Sequence, residues 1–282
     1  MIQPARSTVL EAQALGSRLP PLLVAAERVA ATVAQGVHGR RRVGQGDSFW
    51  QYRPYQPGDA PGRIDWRQSA KSARTYVRET EWEAAQNVHL WRDGSASMRW
   101  RSRQNLPEKA ERAGLLLLAL AALLLRGGER PRLLGQMVPG ALEAMAGALG
   151  ETEGLPGPAA VPAHARVVLI GDFLSPLEDA STVIKRLASI PTTGHLLQVL
   201  DPAEAALPYT GRVRFRGLEA ERETLVPRVE SIRDAYADAM AAQQDGLAAL
   251  CRAAGWTMSQ HRTDTPPETA LLGLYVALSG GA

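Results

Sequence analysis

One cysteine, Cys251, is present in 282 residues, which excludes an internal disulfide and a cysteine-built zinc cage. The five histidines, His38, His89, His164, His195 and His261, never fall at the spacings that let two of them share a metal on one helix face. Long apolar runs are also missing. The longest, Leu115 to Leu125, has 11 residues against the roughly 20 that a spanning helix needs, so it reads as a buried helix. The opening residues, Met1 to Arg6, hold no continuous apolar stretch followed by a cleavage site, and the expected location is the cytoplasm. Strong net charge is lacking as well: 32 Lys and Arg stand against 29 Asp and Glu, a formal charge of +3. Gly and Pro, at 26 and 19 residues, stay below the roughly 25–30% share that marks low complexity.

What remains is a globular composition, 45% hydrophobic and 22% charged. A chain of this length buries about 70–75% of the surface its unfolded form exposes, so it needs no covalent staple. The near-neutral charge conceals an asymmetry. Residues 40–78 carry nine cations (Arg40, Arg41, Arg42, Arg53, Arg63, Arg67, Lys71, Arg74 and Arg78) against Asp47, Asp59 and Asp65, so one local block accounts for the basic balance.

Helical spacing fits residues 8–35, and Gly36 ends it. Residues 36–72 hold so many Gly and Pro that an irregular, side-chain-anchored segment is expected there rather than a long regular element. Thr75-Tyr76-Val77 reads as a short strand. Asn87–Arg92 is a β-prone run that stops at Asp93-Gly94, and Glu108–Arg126 is an apolar helix ended by Gly127-Gly128. An apolar strand (Arg132–Val138), a short helix (Ala141–Leu149) and a Gly/Pro linker (Gly154–Pro162) follow. The continuous apolar run Arg166–Ile170 suits a strand covered on both faces, and Leu177–Ile190 is helical. A strand at His195–Leu200, a hairpin around Arg212–Val226, a long helix from Val229 to Ala254, a strand at Trp256–His261 and a helix near Pro267–Leu278 complete the reading. Strands alternating with helices predict a mostly parallel sheet with helices on both faces. The expected division is a helix plus irregular basic and aromatic segment over residues 1–85 and an α/β domain over residues 86–282.

Function in such folds gathers at the carboxyl ends of the strands. There the sharpest pattern is Asp93-Gly94-Ser95-Ala96-Ser97, whose oxygen-bearing side chains at alternate positions can converge just beyond a strand end. That chemistry suits a hard cation, Mg²⁺ or alternatively Mn²⁺ or Ca²⁺. Asp172 ends a second apolar strand and supplies the second carboxylate. The same residues can equally cap a helix or close an Asx-turn. In the basic block, Tyr52–Asp59 and Arg63–Ala70 interleave aromatics with cations, a pattern able to stack on single-stranded nucleic acid. Alternatively, the aromatics plug the segment onto the sheet while arginines pair with Asp59 and Asp65.

Several of these motifs, in order, carry a family resemblance: Arg53 with Tyr55-Gln-Pro-Gly-Asp59, Arg63-Ile-Asp-Trp66, Ser69-Ala-Lys71, Tyr76-Val-Arg78 and Asp93-Gly-Ser-Ala-Ser-Met98. Gly171-Asp-Phe-Leu174, Asp201-Pro-Ala-Glu204 and Tyr236 follow. The chain resembles, from about residue 36 onward, the bacterial family known as domain of unknown function 58. The resemblance implies a von Willebrand factor A-like, Rossmann-like α/β domain with a metal-ion-dependent adhesion site, formed here by Asp93, Ser95, Ser97 and Asp172. It further implies a partnership with a MoxR-type AAA+ ATPase in chaperone-like remodelling of other proteins. One feature departs from the pattern. Adhesion sites take a threonine from an intermediate loop, yet residues 99–151 contain none, and the loop after the second strand reads Pro139-Gly140.

Enzyme chemistries lack parts in this sequence. Gly94-Ser95-Ala96-Ser97 does not supply a nucleophile elbow, and Gly44-Gln45-Gly46 lacks the Lys-Ser/Thr pair of a nucleotide loop. The expectation is therefore a non-enzymatic adaptor whose metal, bound at Asp93, Ser95, Ser97 and Asp172, accepts an Asp or Glu from the ATPase or its client. Two alternatives stand beside it: nucleic-acid binding through residues 40–78, and Mg²⁺-dependent hydrolysis of phosphate esters at Asp93.

Overall fold

In the computed structural model of the chain, residues 42–57, 59–72, 74–82, 85–138, 140–149, 154–218 and 223–279 are described. The helix expected over residues 8–35 lies outside them. Two compact units separate, one within Gly36–Ala85 and the other within Gln86–Ala282.

The smaller unit is an antiparallel pair, β1 (Arg42–Pro54) with β2 (Tyr76–Trp82). Thirteen residues of strand stand where the glycines argued for irregular chain. The ladder accommodates them by shifting register between Gly44 and Phe49 and again between Phe49 and Gln51, as bulged strands do. The connection between the strands is held by side chains. Arg53 grips Asp59 with two bonds of 2.7 and 2.6 Å, and Asp59 Oδ2 also accepts the Gln56 N–H. Asp65 caps the one-turn helix α1 (Trp66–Ser69) by accepting from Gln68 N at 2.9 Å. Trp66 is 68% exposed.

The larger unit is built on five parallel strands: β3 (Asn87–Arg92), β4 (Arg130–Leu133), β5 (Arg166–Gly171), β6 (Thr193–Leu200) and β9 (Thr257–Arg262), in the order β4-β3-β5-β6-β9. A small hairpin, β7 (Val213–Phe215) with β8 (Thr224–Val226), stands apart from it. Because successive side chains point to opposite faces, the apolar runs divide between two cores. Val88 and Leu90, Val168 and Ile170, Leu197 and Val199 pack with helices α2 (Lys109–Arg126), α3 (Leu142–Ala148) and α7 (Pro267–Ser279). Trp91, Val167, Leu169 and Leu196 pack with α4 (Leu177–Ala188) and α6 (Arg233–Ala253). The leucines of α2, with Leu116, Leu117 and Leu120 at 0% exposure, each contribute about 1.5–3 kcal/mol by burial.

Several boundaries differ from the sequence reading; the strand expected over Thr75–Val77, for one, runs from Tyr76 to Trp82. β4 begins at Arg130 and ends at Leu133 because Gly135 takes the left-handed backbone, φ 75°, and turns the chain before Val138. The helix expected from Val229 starts as a 3₁₀ turn, Val229–Ile232, before α6. Among the described residues no helix is long and apolar enough to cross a membrane.

Chain direction decides where a site can form. From β3 the chain moves to the edge strand β4 over the face covered by α2; from β5 it runs outward through β6 to β9 beneath α4 and α6. The reversal falls between β3 and β5, and a crevice opens beyond the carboxyl ends at such a switch point.

Candidate functional site

Asp93 and Asp172 follow the last residues of the two strands that flank this switch point. Register pairs Arg92 with Ile170, and the Asp93 N–H continues the ladder by donating to Ile170 O at 2.8 Å. Both aspartates are enclosed, at 6% and 4% exposure, while Ser95 and Ser97 are half-buried.

A continuous hydrogen-bonded string joins the four residues expected from the sequence. Asp93 Oδ1 accepts from Ser95 N at 2.8 Å, Ser95 Oγ lies 3.0 Å from Ser97 Oγ, and Ser97 Oγ donates to Asp172 Oδ2 at 2.7 Å. A hydroxyl has one proton to give, so with Ser97 donating to Asp172, Ser95 is the donor of the serine pair. Asp93 and Asp172 are connected through the serines.

The Asp172 backbone is positioned from two sides. Gln198 Nε2 donates to Asp172 O at 2.9 Å from the adjacent strand β6. Phe173 occupies the left-handed region at φ 48°, a conformation a bulky residue holds only when its surroundings demand it. Here its ring is buried against Trp91, centroids 6.3 Å apart, and its carbonyl accepts from Gln243 Nε2 at 2.9 Å.

Four further residues, outside the set expected to ligate, complete the site. Lys109, the first residue of α2, is entirely buried; its Nζ lies 2.9 Å from Asp172 Oδ2 and 2.5 Å from Glu204 Oε1. Glu204 and Asp201 belong to a capping box on the short helix α5 (Pro202–Ala206), in which Glu204 Oε2 accepts from Asp201 N and Asp201 Oδ1 from Ala203 N. The second Asp201 oxygen accepts from Ser102 N at 2.9 Å, tying down the loop between Ser97 and α2. Tyr236 of α6 donates to Glu204 O at 2.6 Å.

The electrostatics follow from this burial. Desolvation pulls on Lys109, but the charges and hydrogen bonds of Asp172 and Glu204 outweigh it and raise its pKa, so the side chain stays an ammonium. Glu204 is held above the ordinary carboxylate value because burial exceeds the stabilisation from Lys109. Burial, then the negative charge of Glu204, pushes the Tyr236 phenol up to about 12.

The oxygen spacings test whether a cation suits this set. Neighbouring ligands of an octahedral Mg²⁺ stand about 2.9 Å apart, given bonds of roughly 2.0–2.1 Å. The Ser95–Ser97 and Ser97–Asp172 separations are 3.0 and 2.7 Å, lengths compatible with adjacent ligands of such a shell and equally with the hydrogen bonds made here. Among the described residues no cluster of three or more His, Cys, Asp or Glu is arranged for a metal, so an ion here depends on hydroxyl ligands. The departure from a plain cation site is Lys109, whose ammonium already occupies one side of Asp172 Oδ2.

Lys109 was legible only as an ionisable residue on the buried stripe of an apolar helix, in line with Ala113 and Leu116. The Asp201–Glu204 pair carries the D-x-x-E signature of a helix start, but nothing local says that it reaches α2.

Comparison with known proteins gives a family match. The family described as protein of unknown function DUF58 matches residues 51–141 and 148–246. Uncharacterized proteins of Mycobacterium tuberculosis and Mycobacterium bovis are each 27% identical over 261 residues, covering 82% of this chain and 80% of theirs. Among solved structures, the conserved hypothetical protein BatB from Bacteroides thetaiotaomicron is 13% identical, with TM-score 0.40, covering 70% of this chain and 98% of its own. An aerotolerance-related membrane protein from Bacteroides fragilis is 14% identical, with TM-score 0.42, covering 69% and 98%.

Proposed function

The chain belongs to the DUF58 family of proteins of unknown function, and from that premise we propose that it is a non-enzymatic interaction module. In this reading the carboxyl edge of the sheet receives an acidic side chain from a partner protein. The single observation that carries it is the string Ser95–Ser97–Asp172, built from two strand tips at the switch point. Ser95, Ser97 and Asp172 would hold a divalent cation, with Asp93 supporting Ser95 through its backbone N–H. When bound, a hard cation supplies an electrophilic position for a carboxylate. The chain's own residues do the rest: Gln198 and Phe173 fix the Asp172 backbone, and Asp201 holds the serine-bearing loop by its Ser102 N–H.

An adaptor fits these residues better than a hydrolase. Lys109 stays protonated between two carboxylates, which unsuits it as a base for Ser97. The ring nitrogens of His195 are engaged by Thr257 and Ser259 on the next strand. The partner class that the family resemblance brings is a MoxR-type AAA+ ATPase or its client, acting in the cytoplasm. The test is retention of the MoxR-type ATPase of the same genome on immobilised protein. Retention is expected to fall with Asp93→Ala and with EDTA, and unchanged retention in both defeats the reading.

A second reading has one observation in its favour. Trp66 is 68% exposed, and Arg67, Lys71 and Arg74 nearby in sequence are exposed too, a combination suited to stacking on a single strand and pairing with its phosphates. Oligonucleotide binding that weakens steeply with salt would support it, whereas no binding at about 50 mM salt removes it.

A further inference from the structure

Asp172 Oδ2 is shared. It accepts Ser97 Oγ at 2.7 Å and Lys109 Nζ at 2.9 Å, so the cation that neutralises this carboxylate is a side chain of the protein. Lys109 has no exposed surface, and its second carboxylate, Glu204, lies 2.5 Å away. A buried charge persists only when paired and hydrogen-bonded, and here both conditions are met without any external ion. The helix does not explain the lysine. A cation on the first residue of α2 faces the positive end of the helix dipole, so the carboxylates are what hold it there.

The same loop delivers the serines and the lysine. Met98 O accepts from Ala110 N at 2.8 Å and Trp100 O from Lys109 N at 3.4 Å, which sets the start of α2 beside the Asp93–Ser97 turn. An ion placed on Ser95, Ser97 and Asp172 would therefore lie close to a fixed positive charge and would draw on an oxygen already bonded to it. At such short range two like charges repel strongly even at the effective dielectric of a protein surface.

We infer that Lys109 is the resident cation of the strand-end site: it makes the fold independent of a divalent ion and lowers ion affinity by competing for Asp172 Oδ2. This rests on the cation-site part of the proposed function and deepens it. Occupancy becomes conditional, with the ion gaining hold when a partner carboxylate adds to its ligands, and that dependence on both ligands is the coupling an adaptor needs.

The experiment uses the full chain, with Mn²⁺ as the probe. Thermal unfolding is followed in EDTA and over a Mn²⁺ titration, and bound Mn²⁺ is read independently from loss of the free-ion electron paramagnetic resonance signal. The natural chain should unfold at the same temperature in EDTA as in buffer and bind Mn²⁺ weakly. Lys109→Met should unfold earlier in EDTA, recover with Mn²⁺, and bind Mn²⁺ about tenfold tighter or more. Adding Asp172→Asn to Lys109→Met should abolish the Mn²⁺ response. Equal Mn²⁺ affinity in the natural chain and Lys109→Met, no Mn²⁺ response in either, or unfolding of the natural chain by EDTA overturns the inference. Should Lys109→Met fail to fold even with Mn²⁺, Glu204→Gln decides. Its lysine is left to Asp172 alone, so Mn²⁺ binding should weaken, and equal or tighter binding overturns the inference. No partner enters these readouts, so their failure and the failure of ATPase retention are told apart.

Discussion

A Cβ added at Gly171 would stand 3.0 Å from Asp93 Cβ and 3.4 Å from Asp93 Oδ2. The two residues extend neighbouring strands, and the absent side chain at 171 is what lets the Asp93 carboxylate lie against the end of β5. Gly171→Ala is expected to shift Asp93 and cost about 1–3 kcal/mol, with Gly171→Val costing more. Urea unfolding of the variants measures this, and a Gly171→Val protein as stable as the natural chain would show that the contact relaxes freely.

Asp201 serves two masters, capping α5 and holding the Ser102 N–H. Asp201→Ala should cost about 1–3 kcal/mol, combining a lost cap with an orphaned amide. Hydrogen exchange offers a sharper readout: the amide of Ser102 should lose protection more than amides of β5. Equal protection at Ser102 in both proteins would mean that the loop is held by other contacts.

Acid should destabilise the larger unit through its buried histidines, chiefly His195 and His261, with His89 also lowered by burial and by Arg132. Burial lowers His195 to about 4, and burial together with Arg112, opposed by Asp264, lowers His261 to about 4. The ordinary value is 6.5, so the neutral rings contribute stability that is intact above about pH 6.5 and is lost as pH falls through 4. Within that window the loss approaches about 1.4 kcal/mol per pH unit for each histidine. Glu204 works the other way, since its raised value favours the protonated form in the folded state. The part carried by these two histidines is isolated by comparing unfolding at pH 7 and pH 5 for the natural chain and for His195→Gln with His261→Gln, in which the slope should flatten.

Cys251 is 1% exposed, and burial, slightly offset by Arg252, pushes its thiol up to about 11. It should stay unmodified by a thiol reagent at pH 8 while the chain is folded and react as one thiol per chain in about 6 M guanidinium. Fast labelling of the folded protein would place the α6 surface of the core open to solvent.

The sheet was legible because its central strands β3, β5 and β6 are buried on both faces. Val167–Ile170 is a continuous apolar run, and Leu196, Leu197, Val199 and Leu200 dominate the second half of β6; their alternate residues serve two cores, as a covered parallel strand requires. The Asp93–Ser97 turn was legible for a related reason, as a polar cluster directly after such a run. β1 was not. Its glycines argue for loop by propensity, and pairing with β2 overrides them through register shifts, which no local pattern announces. Trp66 shows the same limit: its aromatic ring alone does not decide between burial and stacking, because a tryptophan is buried only where a neighbour covers it, and Trp66 is 68% exposed.

The amino-acid order alone determined the alternation of apolar strands and helices and set an acid at the tip of two strands, because burial and backbone geometry act within a few residues. Only the tertiary structure decided that Lys109, Asp172 and Glu204, at separations of 63 and 95 residues along the chain, meet as one buried ion cluster. Charges are written in the sequence, but their partners are chosen by packing. The desolvation that makes these pairings obligatory exists only once the core has closed around them.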